Sequence, residues 1–215
     1  MGSDVTAHTN SQAPLWLKLA YTAFMLVLVP VYWRYYGPTN FLYFCDLALF
    51  LTLAGLWLDS PLLISMCAVG ILAPQAIWVV DFLFGLAGIS LIGVSAYMFK
   101  HDSSLFLRGL SLFHGWLPFL LAYLVWRLDY DRRGFPAWIV LIWVLLPFCF
   151  FFMPPPDPNA GLKPVNINYV FGPGDDAAQT WVPPAVWLGG MMIGMPLILF
   201  WPTHLLLARY APKSA

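Results

Sequence analysis

Glutamate is absent from this chain: all ten carboxylate side chains are aspartates. Charge of either sign is scarce, at 9% of residues against about 25% in a soluble domain. Ten basic residues balance the ten acids, so nothing points to a polyanionic partner, and no nucleic acid is expected. Cysteine is limited to Cys45, Cys67 and Cys149. That odd count, with no CxxC pair and no Cys/His cluster, argues against a disulfide framework or a structural zinc site. There is no P-loop, GxGxxG or HExxH, so neither a nucleotide cofactor nor a metal is expected. Residues 1–14 lack the basic start of a signal peptide, and no A-x-A site follows the first apolar run. That run is therefore expected to stay in the mature chain.

What fills the sequence instead is apolar surface. The chain is 61% hydrophobic with a mean hydropathy of +0.76. A soluble core of this size has no place for so much, whereas a bilayer does. Eleven Trp and ten Tyr suit a protein with many water–lipid boundaries. Apolar runs read as helices at 15–35, 39–58, 61–80, 82–99, 109–127, 136–153 and 184–208. Most reach the roughly 20 residues that cross about 30 Å of hydrocarbon. Pro30, Pro118, Pro147, Pro196 and Pro202 fall inside them, as membrane helices tolerate. The expected fold is an all-α polytopic transmembrane bundle of six to seven spans, in a bacterial inner membrane. One helical domain over 15–209 would lie between a polar tail at 1–14 and a short tail at 210–215.

The polar segments set the topology. Arg127-Leu-Asp-Tyr-Asp-Arg-Arg133 is the strongest charge cluster, and Arg209 and Lys213 close the chain. The positive-inside rule makes both cytoplasmic. The long loop at 154–183 is one span away and hence outside. It carries Pro154-Pro-Pro156, Asn166-Ile-Asn168-Tyr169 and Gly172-Pro-Gly-Asp-Asp176. Whether 82–99 crosses decides between seven helices and six. Charge bias is six against four either way, but Gly85, Gly88 and Gly93 weaken this segment as a helix.

Ionisable groups inside spans are expensive and each needs a reason. Candidates are Cys45-Asp46, Gln75, Asp81 and His114. His8, His101 and His204 lie in the tail or near segment ends, where a solvated role is expected. A free cysteine is most often a small buried hydrophobe, and Cys67 and Cys149 read that way. Cys45 with His114 is more informative. A thiol needs a base to become a nucleophile, and histidine is its usual partner. Asp46 or Asp81 would orient the imidazole, and Asn168 or Tyr169 would offer donors to an oxyanion. Only six crossings put Cys45, Gln75, Asp81, His114 and the 166–169 run at one membrane face.

The same residues carry a resemblance. Phe41-Leu-Tyr-Phe-Cys45-Asp46-Leu-Ala-Leu resembles the L-x-x-x-C-D motif of a family of small membrane proteins. That family includes bacterial YwaF-like proteins and the transmembrane protein 164 acyltransferases. Further matches follow in order. They are Gln75-Ala76 with Asp81 six residues after the glutamine, Phe113-His114-Gly115 where the family has Ser-His-Gly, and Asn166-Ile-Asn168-Tyr169 near a family Asn-Tyr motif. The resemblance implies acyl transfer or lipid ester hydrolysis, with Cys45 as the acyl acceptor and His114 as the base. Gln75, Asp46, Asp81, Asn168 and Tyr169 would orient these groups or stabilise the oxyanion. Membrane lipids would be the partners. The alternative is a non-catalytic scaffold or accessory subunit, partnered by other membrane protein subunits. A small-solute transporter ranks below both, because no inverted repeat is evident.

Overall fold

The computed structural model describes residues 12–89, 91–99 and 104–211. His8, His101 and Lys213 lie outside them. Among the described residues every regular element is helical, as expected where lipid offers backbone groups no partners. Five helical stretches are long and apolar enough to cross a membrane. They are α1 (Leu15–Tyr35), α3 (Pro61–Leu86), α4–α5 (Leu105–Ser111 and Phe113–Leu128), α6 (Gly134–Phe152) and α7–α8 (Pro184–Met195 and Trp201–Tyr210). A shorter apolar helix, α2 (Phe44–Trp57), follows a 3₁₀ turn at Pro38–Leu42.

Side-chain bonds fix which ends of the helices lie together. Asp59, in the turn after α2, accepts from the Ala13 N–H at 2.8 Å and pairs with Lys18 Nζ at 2.6 Å. Tyr21 donates to the Leu49 carbonyl at 3.1 Å, and the Trp57 indole donates to Thr22 at 2.9 Å. Thus α1 and α2 run antiparallel over a common height. At the start of α3, Ser65 Oγ accepts from the Asp131 N–H at 2.9 Å. Tyr130 in the same turn bonds His204 of α8 at 2.7 Å. Lys18, Arg127, Arg132, Arg133 and Arg209 therefore gather at one end of the bundle, the basic end. At this end the Arg133 guanidinium chelates the Asp131 carboxylate and holds its pKa below the ordinary carboxylate value. His204 is not simply solvated, because its ring also stacks on Phe135 at 4.9 Å.

Among the described residues, 82–99 holds no separate membrane-length helix, where its apolar run suggested one. α3 continues through Leu86, then the described chain turns irregularly and closes on a 3₁₀ turn at Ala96–Phe99. The cause is Asp81. Its carboxylate accepts from the backbone of Ile92 at 2.7 Å, Gly93 at 3.0 Å and Ser95 at 2.8 Å, and from Ser95 Oγ at 2.6 Å. Four donors draw the segment back toward the helix that carries the acid, and Gly88 and Gly93 take the left-handed φ values the turns require.

α3 is the central element and packs against α2, α5, α6 and α8. Its apolar window is 56% buried, against 17–33% for the other four stretches. Gly70 lets Trp138 of α6 lie directly on the α3 backbone, where a Cβ would fall 1.9 Å from the indole. Between α7 and α8 the chain makes a π-helical turn at Pro196–Phe200. Pro196 has no N–H for the Met192 carbonyl, and the Trp143 indole supplies that bond at 2.8 Å.

Candidate functional site

The 154–183 loop folds back into the bundle rather than projecting from it. Val165, Asn166, Ile167, Asn168 and Val170 are all buried. Asn166 organises the run: its Oδ1 accepts from the Phe171 N–H, and its Nδ2 donates to the carbonyls of Gly172 and Gly174, each at 2.8 Å. Asn166, Asn168 and Tyr169 have φ of 47°, 58° and 60°. Asparagine adopts this left-handed conformation readily; tyrosine does so at a cost that the surrounding bonds must meet. One of those bonds runs from the Trp187 indole to the Tyr169 carbonyl at 3.0 Å.

Beneath the loop lies a cavity of about 570 Å³, lined by Cys45, Asp46, Gln75, His114, Asn168 and Tyr169 among others. The chain thus brings six of the seven residues singled out in sequence to one space, from α2, α3, α5 and the loop. The seventh, Asp81, does not line it and is committed to the 92–95 turn. Ile71, Met191, Met195 and Leu199 make part of the wall apolar, while Asp157, Lys163, Asp175 and Asp176 of the loop contribute charge.

The thiol of Cys45 lies 3.9 Å from Asp46 Oδ2, as its donor. Asn40 Nδ2 donates to the same oxygen at 3.1 Å. His114 Nδ1 is 2.9 Å from the Ser111 carbonyl. A carbonyl only accepts, so Nδ1 carries the proton and Nε2 of the neutral ring holds the lone pair. The group that orients His114 is therefore this backbone carbonyl, where the sequence suggested Asp46 or Asp81. The ring is clamped between Trp78 at 4.7 Å and Phe113 at 4.1 Å. The Ser111 hydroxyl bonds Tyr32 at 2.8 Å. Among the described residues no hydrogen bond joins Cys45 to His114. Catalytic hydrogen bonds commonly tighten only when substrate is in place.

Asn168 is spent on structure. Its Oδ1 accepts from the Phe44 N–H at 3.0 Å, and its Nδ2 donates to the Leu42 carbonyl at 2.8 Å and faces Cys149 Sγ at 3.6 Å. The amide thus closes the first turn of α2, the turn that carries Cys45. Burial pushes the phenols of Tyr97 and Tyr169 above their ordinary pKa, so both stay neutral donors.

Sequence reasoning passed over Tyr32, Asn40, Trp78, Tyr97 and Ser111, which all line the cavity. Aromatic and hydroxyl residues are routine within membrane helices, and only Asn40, just ahead of the Cys-Asp pair, carried a local signal. No family model, curated protein or solved structure matches the chain.

Proposed function

We propose that this protein transfers or hydrolyses acyl groups of membrane lipids through Cys45, with His114 as the base. The resemblance to the YwaF-like and transmembrane protein 164 acyltransferases belongs to this reading. One observation carries it: a thiol and an imidazole with its Nε2 lone pair available line a single cavity, part polar and part apolar. The proposed topology has six crossings, with α2 and its preceding turn as the short sixth, antiparallel to α1. The basic end lies in the cytoplasm of a bacterial cell and the cavity lies toward the outer face.

In the first half-reaction Cys45 Sγ attacks the ester carbonyl carbon as its proton passes to His114 Nε2. The C–S bond forms, the ester C–O bond breaks, and the imidazolium returns the proton to the leaving alkoxide. In the second, a lipid hydroxyl or water gives its proton to Nε2 and attacks the thioester. The new C–O bond forms, the C–S bond breaks, and the thiolate takes the proton back.

The test is to incubate the purified protein in nanodiscs with lipid ester, quench in acid and map adducts by mass spectrometry. The expected result is an acyl group on Cys45 that is missing in Cys45→Ala and strongly reduced in His114→Ala. A folded protein with no adduct would reject acyl catalysis in favour of an accessory subunit.

A further inference from the structure

Gln75 and Trp78 sit three residues apart on α3, on the face that lines the cavity. Their exposures are 2% and 5%. Among the described residues, Gln75 Nε2, Gln75 Oε1 and Trp78 Nε1 have no hydrogen-bond partner. Buried donors are satisfied in nearly all native structures. Gln75 and Trp78 both line the cavity, so a ligand that enters it and parts the side chains packed over these atoms supplies the acceptor. The indole is held firmly. It stacks on Phe82 at 5.1 Å and 10°, and on His114 at 4.7 Å and 22°. Its N–H is therefore fixed relative to the proposed base.

The chemistry of the wall selects the ligand. Two neutral N–H donors suit a single acceptor oxygen. Asp157 and Asp176 of the loop line the same cavity with their carboxylates and disfavour an anion. The one Lys or Arg among the described lining residues is Lys163, which is exposed in the loop. A phosphate or free carboxylate is thus poorly matched, and a neutral ester carbonyl fits. Asn168, one of the two donors the sequence offered, has its amide hydrogens turned to Leu42 and Cys149.

We propose that Gln75 Nε2 and Trp78 Nε1 together bind the carbonyl oxygen of a fatty acyl ester, and hold the charge that develops there when Cys45 attacks. The catalytic half of this statement rests on the proposed function; the carbonyl site itself does not. The ligand class is a neutral carboxylic ester, and Gln75 and Trp78 become catalytic residues alongside Cys45 and His114.

The experiment separates the two halves. Full-length Cys45→Ala protein in nanodiscs is loaded with a fatty acid methyl ester carrying ¹³C at the carbonyl, and the C=O stretch is read by difference infrared spectroscopy. A bound population shifted to lower frequency is expected. Adding Trp78→Phe, which keeps a ring over His114, or Gln75→Met should each move the band part of the way back. The two are scored separately on folded protein, so loss of one variant leaves the other decisive. In protein that retains Cys45, each change should slow acylation by roughly 10²–10³-fold, the scale for one lost oxyanion donor. An unshifted band, or a shifted band indifferent to both changes, as when water or another donor holds the oxygen, overturns the proposal. A shifted band that needs both residues, with no acyl-Cys45 in wild type, keeps the carbonyl site and removes the catalysis.

Discussion

Asn168 and Phe44 are 124 positions apart in sequence and joined by one hydrogen bond, from the Phe44 N–H to Asn168 Oδ1 at 3.0 Å. Phe44 is the first residue of α2, so its N–H is one of the donors that no helix can satisfy internally. A loop asparagine beside it in the cavity wall caps it, and Cys45 is the next residue. The long loop and the candidate nucleophile are therefore a single mechanical unit.

Removing that amide should loosen the unit. In Asn168→Ala, the Phe44 N–H and Leu42 carbonyl lose their partner, at about 1–3 kcal/mol for a buried group left unsatisfied. Asn168→Gly loses the same bonds but accepts φ of 58° freely, so it should be less damaging, by about 1–2 kcal/mol. Thermal unfolding in detergent reads both. Wild-type stability in both variants would mean the bond holds nothing.

The three cysteines should differ in reactivity. Cys67 donates to the Ala48 carbonyl at 3.7 Å, and Cys149 faces the Asn168 amide; both are fully buried, while Cys45 is partly exposed and lines the cavity. A lipid-permeant alkylating agent should label Cys45 first, and His114→Ala should slow that labelling by removing the base. Equal rates at all three sites would count Cys45 as packing only.

Six crossings make a prediction about sidedness. Cysteines introduced at Thr39 and Asn159, in a background lacking the native three, should react with an impermeant maleimide from one side of the membrane. One at Arg132 should react from the other. Labelling of Thr39 and Asn159 from opposite sides would end this topology and the site built on it.

Packing on α3 gives a sharper contrast. Gly70→Ala drives a methyl group into the Trp138 indole, which is itself wedged against Phe44 and Phe200. Overpacking of this kind costs about 1–3 kcal/mol or more. Gly189→Ala on α7 meets nothing within 4 Å and should be close to neutral. Comparable melting temperatures for the two would show that α6 can move aside.

Much of the helical layout could be read from the apolar runs, because in lipid an uninterrupted run has one solution. α1 begins and ends where its run does, and α6 within two residues. The end of α3 was misread because Asp81 resembles a boundary, whereas its donors arrive from ten and more residues downstream and let the helix run past it. The site was legible only as residue types. Cys45 and His114 stand out in an apolar matrix. That a serine carbonyl orients the imidazole, or that Asn168 is spent on Phe44, depends on backbone positions that no spacing rule encodes. Trp78 was invisible because tryptophan in a membrane helix normally needs no explanation; its unpaired N–H is shared by Trp138, and its place in the cavity wall beside Gln75 and His114 sets it apart.

The position of α3 bears on how the protein is made. It leaves the ribosome before α5, α6 and α8, three of the four helices that pack most closely on it, and of those four α2 alone is already there to meet it. With a mean hydropathy of 2.0 it can be released into lipid and wait. Asp81 finds its donors 11 to 14 residues later, before the next long helix emerges, but Gln75 stays exposed to the acyl chains until later helices arrive. A nascent chain stalled before residue 105, with α5 not yet made, would thus present a polar residue on an otherwise greasy helix, the kind of mark by which membrane quality control distinguishes an orphan from a finished fold.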